Sequence, residues 1–328
     1  MPTANSEIHV LLAADEAYAG YAATVIASVI DNERTTTPLH FHVFSDGFSK
    51  ETHHRFDLMA KRFDVSIEVE EFSPADLESL PHTRHTINAY LRLLAAERLP
   101  DIDALVYLDC DLVVLGSISE LAGIGTNGTP VAAALDTIVL CGYEDSDPVT
   151  ELMSNPGTYF NSGVLVLDLA YWRENDVTTK IMRAIERITP ISSYEDQAAM
   201  NLVFDGNFNT LPLKWNLQVP LLDYYFGKWR KSEFIGDAYR DPGIVHFTTP
   251  RKPWKRQHSQ PFASKYRKYW RSTPWGADGL PPMSGDEVKT RISEIVGGVR
   301  RRVRGTKRRM TGKSNVLQST AEKLAIKG

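Results

Sequence analysis

The stretch ALVYLDCDLVVLG, from Ala104 to Gly116, is apolar except for two aspartates, Asp109 and Asp111, which Cys110 separates. Such a run is typical of a buried strand, in which successive side chains point to opposite faces. We therefore predict that both aspartates project to one side while Cys110 faces the core. Carboxylates this close repel each other unless a cation lies between them, so the pattern indicates a metal site. The alternative is a turn at Asp-Cys-Asp that leaves both side chains in water.

Strand-like and helix-like patterns alternate before this stretch, which predicts an α/β fold. We predict strands over Ile8–Ala14, Leu39–Phe44 and Val65–Phe72, and helices over Tyr18–Ile30, Ser49–Phe63 and Asn88–Leu99. This order is typical of a mainly parallel central sheet flanked by helices. In such sheets ligands bind beyond the carboxyl ends of the strands, which is where the paired aspartates are expected.

The pattern after the paired aspartates is less regular. It predicts strands over Phe160–Leu169 and Gly243–Phe247, helices over Val177–Ile188 and Glu195–Phe204, and long loops after Asn209. The sequence contains no glycine-rich phosphate loop of the G-x-G-x-x-G or G-x-x-x-x-G-K-[ST] kind. A nucleotide bound here would therefore need a metal ion to hold its phosphates.

Length and composition are those of an ordinary globular protein. The chain has 328 residues, 42% of them hydrophobic, enough for one large or two smaller domains. Its two cysteines, Cys110 and Cys141, exclude a disulfide framework or a cysteine zinc site and favour a reducing compartment. The first residues have no basic segment, and their apolar run is too short for a signal sequence or a membrane span. We therefore expect a cytoplasmic protein.

Six short motifs follow one another along most of the chain. They are AADEAY from Ala13, Tyr90 with Arg92, Asp109-Cys110-Asp111, FNSGV from Phe160, YEDQ from Tyr194 and VHFTTPRKPW from Val245. Their order resembles that of the retaining nucleotide-sugar glycosyltransferases of family 8, and the resemblance extends over residues 7–255. It implies a GT-A fold, in which an α/β sheet binds a nucleotide-diphosphate sugar.

The resemblance also implies a metal centre. Asp109, Asp111 and His246 match the family's ligands for Mn²⁺, with Mg²⁺ as the other choice, and two oxygens with one imidazole suit Mn²⁺ better than Mg²⁺. Taken alone, His246 is as easily explained as a histidine packed on an apolar strand. Lys252 matches a lysine that contacts the diphosphate and stabilises the departing phosphate. Thr249 stands where the family usually has a glycine, a departure from the family at the backbone that approaches the phosphate.

For the nucleotide, Ala13, Asp15 and Tyr18 match residues that contact uracil and ribose, and Cys110 is placed with this group because it lies inside the metal motif. Ala17 replaces a common ribose-binding asparagine, so UDP is expected without being assured. The alternative for Tyr18 is a core aromatic at a helix start.

For the sugar, Arg92, Asp109, Asn161, Asp196 and Gln197 match the family's donor-sugar residues, with Asp136 as a weaker candidate on the acceptor side. Carboxylates, amides and a guanidinium supply the donors and acceptors that fix a hexose. Taken alone, Arg92 could be a surface helix residue, and Asp196 and Gln197 could merely cap a helix.

The family retains anomeric configuration, and Asp196 and Gln197 are the predicted catalytic residues. Retention requires either a covalent intermediate or front-face attack, in which the leaving phosphate oxygen takes the acceptor proton. Because glutamine is a poor nucleophile, we favour the front-face route. Gln197 would then stabilise the oxocarbenium-like carbon, and Asp196 would hold sugar hydroxyls.

Positive charge is concentrated at the C-terminus. Residues 286–328 contain twelve Lys or Arg and four Asp or Glu, a net charge of +8, whereas residues 1–285 carry −12. We therefore divide the chain into a GT-A catalytic domain, 1–285, and a basic tail, 286–328, whose apolar residues recur at helical spacing. A basic amphipathic segment is typical of attachment to an anionic membrane surface. A disordered tail or a nucleic-acid patch is the alternative.

Together these features predict a hexosyltransferase that moves glucose or galactose from a UDP-sugar to a cell-surface or lipid-linked glycan. Its expected place is the cytoplasm, with peripheral attachment to the inner face of the plasma membrane, and no nucleic-acid partner is expected. A binding protein of the same fold that has lost turnover is the second hypothesis, favoured by Ala17 and Thr249. A D-x-D-x-T phosphatase ranks below both, because Val113 stands in place of its threonine. The aromatic stretch Trp215 to Trp229 is a candidate for the acceptor site.

Overall fold

A computed structural model describes residues 7–78, 80, 87–137, 148–192, 195–222, 233–255 and 260–280. The described strands are β1 (Ile8–Ala13), β2 (Leu39–Ser45), β3 (Ser66–Glu71), β4 (Ala104–Leu108), β5 (Leu112–Val114), β6 (Val131–Leu135), β7 (Phe160–Asp168), β8 (Asn209–Thr210), β9 (Leu217–Gln218) and β10 (Ile244–His246). The described helices are α1 (Ala19–Asn32), α2 (Lys50–Phe63), α3 (Pro74–Glu78), α4 (Asn88–Leu91), α5 (Ala95–Arg98), α6 (Ile118–Ile124), α7 (Leu169–Glu174), α8 (Val177–Ile188), α9 (Glu195–Phe204), α10 (Glu233–Arg240) and α11 (Ala263–Ser272).

Seven of the strands form one sheet in the order β3-β2-β1-β4-β7-β6-β8. Neighbouring strands are parallel except where β7 pairs with β4 and β6. A smaller sheet contains β5, β10 and β9. The prediction of a mainly parallel α/β sheet flanked by helices is confirmed.

Alternating side chains along the strands divide the core between the two faces of the large sheet. Val10 and Leu12 of β1 are fully buried in a cluster that includes the apolar face of α1. Leu11, on the opposite face, is buried in a second cluster with Tyr90 and Trp172. Both faces of the sheet are therefore covered, as a parallel sheet requires.

The predicted helix over 88–99 is broken into three pieces. α4 and α5 flank a 3₁₀ turn over Arg92–Leu94. By contrast, α2 follows its sequence signals, since the Ser49 hydroxyl accepts a hydrogen bond from the Thr52 N–H at 3.2 Å and caps the helix.

The described part of the chain after Asn209 holds more regular structure than the predicted loops. It contains α10 and α11, neither of which the sequence analysis predicted. α11 buries Tyr266, Tyr269 and Trp270, whose polar ring atoms and basic neighbours obscure the apolar period in the sequence.

Every described helix and strand belongs to one compact unit, formed by residues up to 254 and by 259–280. A second unit comprises 255–258 and 281–328, of which only Lys255 is described. The predicted basic tail, 286–328, therefore lies outside the described residues. None of the described helices is long and apolar enough to cross a bilayer.

Candidate active site

The paired aspartates lie in a turn that carries the chain from one sheet to the other. β4 ends at Leu108 in the large sheet, and β5 begins at Leu112 in the small one. The aspartates therefore follow the end of a buried strand, as predicted, but the extended backbone assumed for their alternation does not continue through Cys110. The Asp109 N–H extends the pairing with β7 by donating to the Gly163 carbonyl at 2.9 Å. The chain then turns away to pair with β10.

Within that turn the Cys110 side chain faces the core, as predicted. It is 7% exposed, and its thiol donates to the Ala13 carbonyl at 3.3 Å. The turn at Asp-Cys-Asp does not leave the two carboxylates in water, because both converge on a third side chain.

That third side chain is His246, at the end of β10. The antiparallel pairing of β10 with β5 places His246 opposite Leu112. Its Nε2 lies 2.9 Å from an oxygen of Asp111 and 3.6 Å from an oxygen of Asp109. One ligand atom from each residue lies within 4.8 Å of the other two. Two carboxylate oxygens and one imidazole in this arrangement fit a divalent ion such as Mn²⁺.

Gly163 leaves the space that this cluster needs. A Cβ at Gly163 would overlap the His246 ring and lie 2.6 Å from an oxygen of Asp109 and 2.8 Å from His246 Nδ1. Real Cβ atoms do not approach other atoms so closely, so any side chain here would displace the histidine or the carboxylate. The glycine of the FNSGV motif is therefore required by close approach.

Asn216 orients the histidine from the other side of the ring. Its side-chain oxygen lies 3.0 Å from His246 Nδ1, and its amide donates to Asn161 Oδ1 at 2.8 Å. If His246 Nδ1–H donates to Asn216, Nε2 keeps its lone pair toward the aspartates, as a metal ligand must. The sequence analysis missed Asn216, because a single asparagine in a loop carries no local signal.

Lys252 contacts the same cluster. Its ammonium hydrogen-bonds to Asp111 and donates to the Phe247 carbonyl at 2.8 Å. Burial would raise the pKa of Asp111, but the charge of Lys252 and the His246 ring bring it well below its usual range. Burial raises the pKa of Asp109, with the negative charge of Asp111 adding to the effect and Arg92 opposing it. A cation between Asp109 and Asp111 would relieve the repulsion between their negative charges.

Arg92 is a buried ion-pairing residue, so the surface-helix alternative is wrong. It is 5% exposed, and its guanidinium donates to Asp109 at 3.2 Å, to Asp196, and to the Ser162 carbonyl at 2.9 Å. Although burial lowers the pKa of a guanidinium, Asp196 and Asp109 raise that of Arg92 overall. Arg92 therefore joins the two predicted groups, the metal cluster and the sugar residues.

The predicted sugar-binding side chains form one buried network. Asn161 donates to Asp136 at 2.9 Å and to Gln197 Oε1 at 3.2 Å. Gln197 also accepts from the Ser162 N–H at 3.0 Å and donates to Asp136 at 3.3 Å. Gln197 thus bonds to residues outside its own helix, and Asp196 forms an ion pair with Arg92. A residue that only caps a helix would bond to the N–H groups of that helix, so capping alone does not explain these contacts.

A cleft of about 370 Å³ opens beside the cluster. Its lining includes Ala13, Asp15, Tyr18, Arg92, Asp109, Cys110, Asp111 and Lys252. Tyr18 is 40% exposed, so the core-aromatic alternative is wrong, and its N–H donates to Asp15 at 2.9 Å. The cleft thus unites the predicted nucleotide residues with the metal cluster.

Two predicted positions are placed differently. Thr249 does not line the cleft, and its hydroxyl accepts from the Arg251 N–H at 3.3 Å. Trp215 is 2% exposed and packs against Gly116 and Gly243. Its assignment to the acceptor site is therefore wrong, because close glycine packing has buried it. Residues 223–232, which include half of the remaining stretch to Trp229, lie outside the described part of the chain.

The sequence was compared with families and curated proteins. Residues 9–258 match a profile of "Glycosyl transferase family 8". General stress protein A of Bacillus subtilis is 27% identical over 84% of this chain and 98% of its own length. A lipopolysaccharide 1,2-glucosyltransferase of Escherichia coli is 28% identical over 80% of this chain and 77% of its own length.

Solved structures support the fold. The galactosyltransferase LgtC, in complex with donor and acceptor sugar analogs, superposes with a TM-score of 0.67 at 22% identity over 87% of this chain and all of LgtC. The bifunctional glycosyltransferase WbbM gives a TM-score of 0.72 at 23% identity over 85% of this chain and 52% of WbbM. The predicted GT-A fold is confirmed.

Proposed function

The chain belongs to glycosyl transferase family 8, and from that premise we propose that it transfers a hexose from a UDP-sugar to a lipopolysaccharide or another lipid-linked or cell-surface glycan. Glucose and galactose are the proposed sugars, since its relatives include a lipopolysaccharide 1,2-glucosyltransferase and a lipopolysaccharide 1,3-galactosyltransferase. The observation that carries the proposal is the convergence of Asp109, Asp111 and His246 beside Lys252 at the cleft.

We assign Mn²⁺, or Mg²⁺ in its place, to Asp109, Asp111 and His246. Such an ion would neutralise the diphosphate of the donor and assist its departure. Lys252, already within hydrogen-bonding reach of Asp111, supplies a second positive charge for the leaving UDP. Asp15 and Tyr18, which line the same cleft, are assigned to the ribose and the uracil ring.

The sugar residues have separate proposed roles. Arg92 holds Asp109 and Asp196 in fixed positions, so the sugar pocket and the metal cluster keep one geometry. Asp196 accepts hydrogen bonds from hexose hydroxyls, and Asn161 donates to and accepts from them. Gln197 stabilises the positive charge that develops at the anomeric carbon, which requires its Oε1 to give up a hydrogen bond from Asn161 or from the Ser162 N–H when the sugar binds. Asp136, to which Asn161 and Gln197 both donate, is the weaker candidate for a contact with the acceptor.

We propose front-face transfer with retention. The bond between the anomeric carbon and the β-phosphate oxygen breaks, and its electron pair leaves with UDP. An acceptor hydroxyl oxygen then bonds to the anomeric carbon from the same face. Its proton passes to the departing phosphate oxygen, so atoms and charge balance without a protein nucleophile.

Differential stabilisation by nucleotide sugars would test the donor. We expect UDP-glucose or UDP-galactose with Mn²⁺ to raise the melting temperature, because a ligand at a hundred times its Kd stabilises a protein by about 2.7 kcal/mol. GDP-mannose serves as the mismatched control. Equal shifts with both nucleotides, or no shift with any, would contradict the assignment.

Slow hydrolysis of the UDP-sugar in Mn²⁺ separates the transferase from a binding protein of the same fold. We expect release of UDP and free hexose without an acceptor. Binding without release over many hours would favour the second hypothesis.

We also propose that the enzyme works at the cytoplasmic face of the membrane, held by its basic tail. The support is the charge of +8 in residues 286–328 against −12 in the rest. Flotation with anionic vesicles should retain the full chain and lose a 1–285 truncation. Equal partitioning of the two would reject the role of the tail.

A further inference from the structure

A second group of metal-binding side chains lies on the large sheet, outside the candidate active site. The parallel registers pair His9 of β1 with His40 of β2, and His42 of β2 with Glu68 of β3. All four side chains lie on the same face of the sheet. Paired residues of neighbouring strands share a face, and His40 and His42 are two residues apart on the same strand. One ligand atom from each of His40, His42 and Glu68 lies within 4.8 Å of the other two.

The histidine rings are aligned with one another. The rings of His40 and His42 stack with centroids 4.8 Å apart and planes only 2° apart. His9 stacks on both, with each centroid 5.3 Å away. The pairing of the strands brings three imidazoles together at one place on the sheet. Because the lone pairs of parallel rings do not converge, the His40 ring, whose side chain is 21% exposed, would turn out of the stack to share an ion with His42 and Glu68.

The Glu68 carboxylate bridges two of these rings. One of its oxygens lies 3.0 Å from His40 Nε2, and the other lies 3.8 Å from His42 Nδ1. An imidazole that binds a metal through one nitrogen commonly hydrogen-bonds through the other. His42 has such a partner, since its Nε2 lies 3.1 Å from His9 Nδ1. When His42 donates in that bond, its Nδ1 lone pair points toward Glu68.

One end of the group is buried and the other is exposed. His42 is 4% exposed. The Glu68 side chain is 62% exposed, so an ion can reach the group from solvent.

We propose that His40, His42 and Glu68 form a binding site for a divalent transition-metal ion of the zinc, cobalt or nickel class, with His9 as the partner that orients His42. Imidazole and carboxylate ligands suit this class. Because β3 is the edge strand of the sheet, the ion would tie that edge to β2. The site is independent of the transferase chemistry, since His9 stands four residues, or about 13 Å along the strand, before Ala13.

Calorimetric titration of the full chain with Zn²⁺ tests this proposal. The Asp109→Asn/Asp111→Asn double variant serves as the parent, so that the candidate active site does not compete for zinc. We expect Glu68→Gln and His40→Gln in this parent to weaken zinc binding at least tenfold and to abolish a zinc-induced rise in melting temperature. His54→Gln, an exposed histidine of α2, is the matched control and should change neither.

Glu68→Gln decides the outcome, because an exposed Glu-to-Gln change leaves the fold intact, which circular dichroism without zinc would verify. Zinc affinity and melting shift equal to those of the parent would overturn the proposal and leave the histidines as a hydrogen-bonded stack. Neither result bears on UDP-sugar binding, so the proposed function stands or falls separately.

Discussion

His246 Nε2 lies 2.9 Å from Asp111, although 135 residues separate the two in the sequence. The contact exists because β10 pairs with β5 directly after the Asp-Cys-Asp turn. The pairing of two strands within the small sheet thus assembles the proposed metal site.

Asp111→Asn removes a charge from the proposed metal site. We expect manganese-dependent UDP affinity to fall at least a hundredfold, because a neutral amide is a poor Mn²⁺ ligand and leaves Lys252 without its anionic partner. Calorimetric titration with UDP in the presence and absence of Mn²⁺ measures this. Asp57→Asn, an exposed residue of α2, should bind like the wild type. Unchanged affinity in Asp111→Asn would remove Asp111 from the site.

Gly163→Ala tests the space between the strand and the histidine. The added methyl group must displace His246 or Asp109, so we expect loss of transfer activity and a destabilisation of about 1–3 kcal/mol. Urea denaturation and an activity assay measure the two effects. Gly123→Ala is the matched control, since its Cβ would meet nothing within 4 Å in α6. An active, fully stable Gly163→Ala protein would show that the cluster can rearrange.

Asn216→Ala removes the hydrogen-bond partner of His246 Nδ1. We expect manganese affinity to fall about 10- to 100-fold, as for other residues that orient a metal-binding histidine. Electron paramagnetic resonance of free Mn²⁺ gives the affinity. Asn209→Ala, which removes the hydrogen bond of a half-buried amide to the Gly125 carbonyl away from the cluster, controls for the loss of an asparagine hydrogen bond. Equal manganese affinities in the two variants would assign Asn216 a structural role alone.

Asp196→Asn separates sugar handling from nucleotide binding. The amide keeps the shape of the side chain but loses the charge that pairs with Arg92 and the acceptor strength needed for sugar hydroxyls. We expect transfer to fall at least a hundredfold while UDP affinity stays within about threefold of wild type. Calorimetry with UDP and a turnover assay with the UDP-sugar measure the two quantities. Parallel loss of both would contradict the proposed role.

Glu33 should make stability depend on pH. Burial would raise its pKa, but hydrogen bonds from the Ser117 hydroxyl and from the Thr35 and Ser119 N–H groups lower it from 4.5 to about 2. A lowered pKa contributes stability that is complete above pH 4.5 and is lost as pH falls toward 2. The stability difference between wild type and Glu33→Gln should therefore shrink over that window. Urea denaturation at several pH values measures it, and a constant difference would refute the assignment.

The sequence determined the parts of this protein that depend on local patterns. Side-chain periodicity, which acts over a few residues, predicted the alternation of strands and helices from Ile8 to Phe72 and the strand from Phe160. Capping chemistry, which is equally local, predicted the Ser49 cap. The order of motifs was enough to predict the family and the GT-A fold. It also placed Asp109 and Asp111 at the end of a buried strand.

Tertiary structure alone decided where distant residues meet. Several features depend on how strands pair, and in which register, across the sheets rather than on local sequence. At the active site they are the passage of the chain between sheets at Cys110, the close approach of Gly163 to His246 and the orienting role of Asn216. On β1 and β2 it is the stack of histidines. No local pattern records such a register, because it is selected by the packing of the whole core. For that reason the sequence and its family resemblance supplied the set of candidate ligands, and the fold showed that their atoms lie close enough to share one ion.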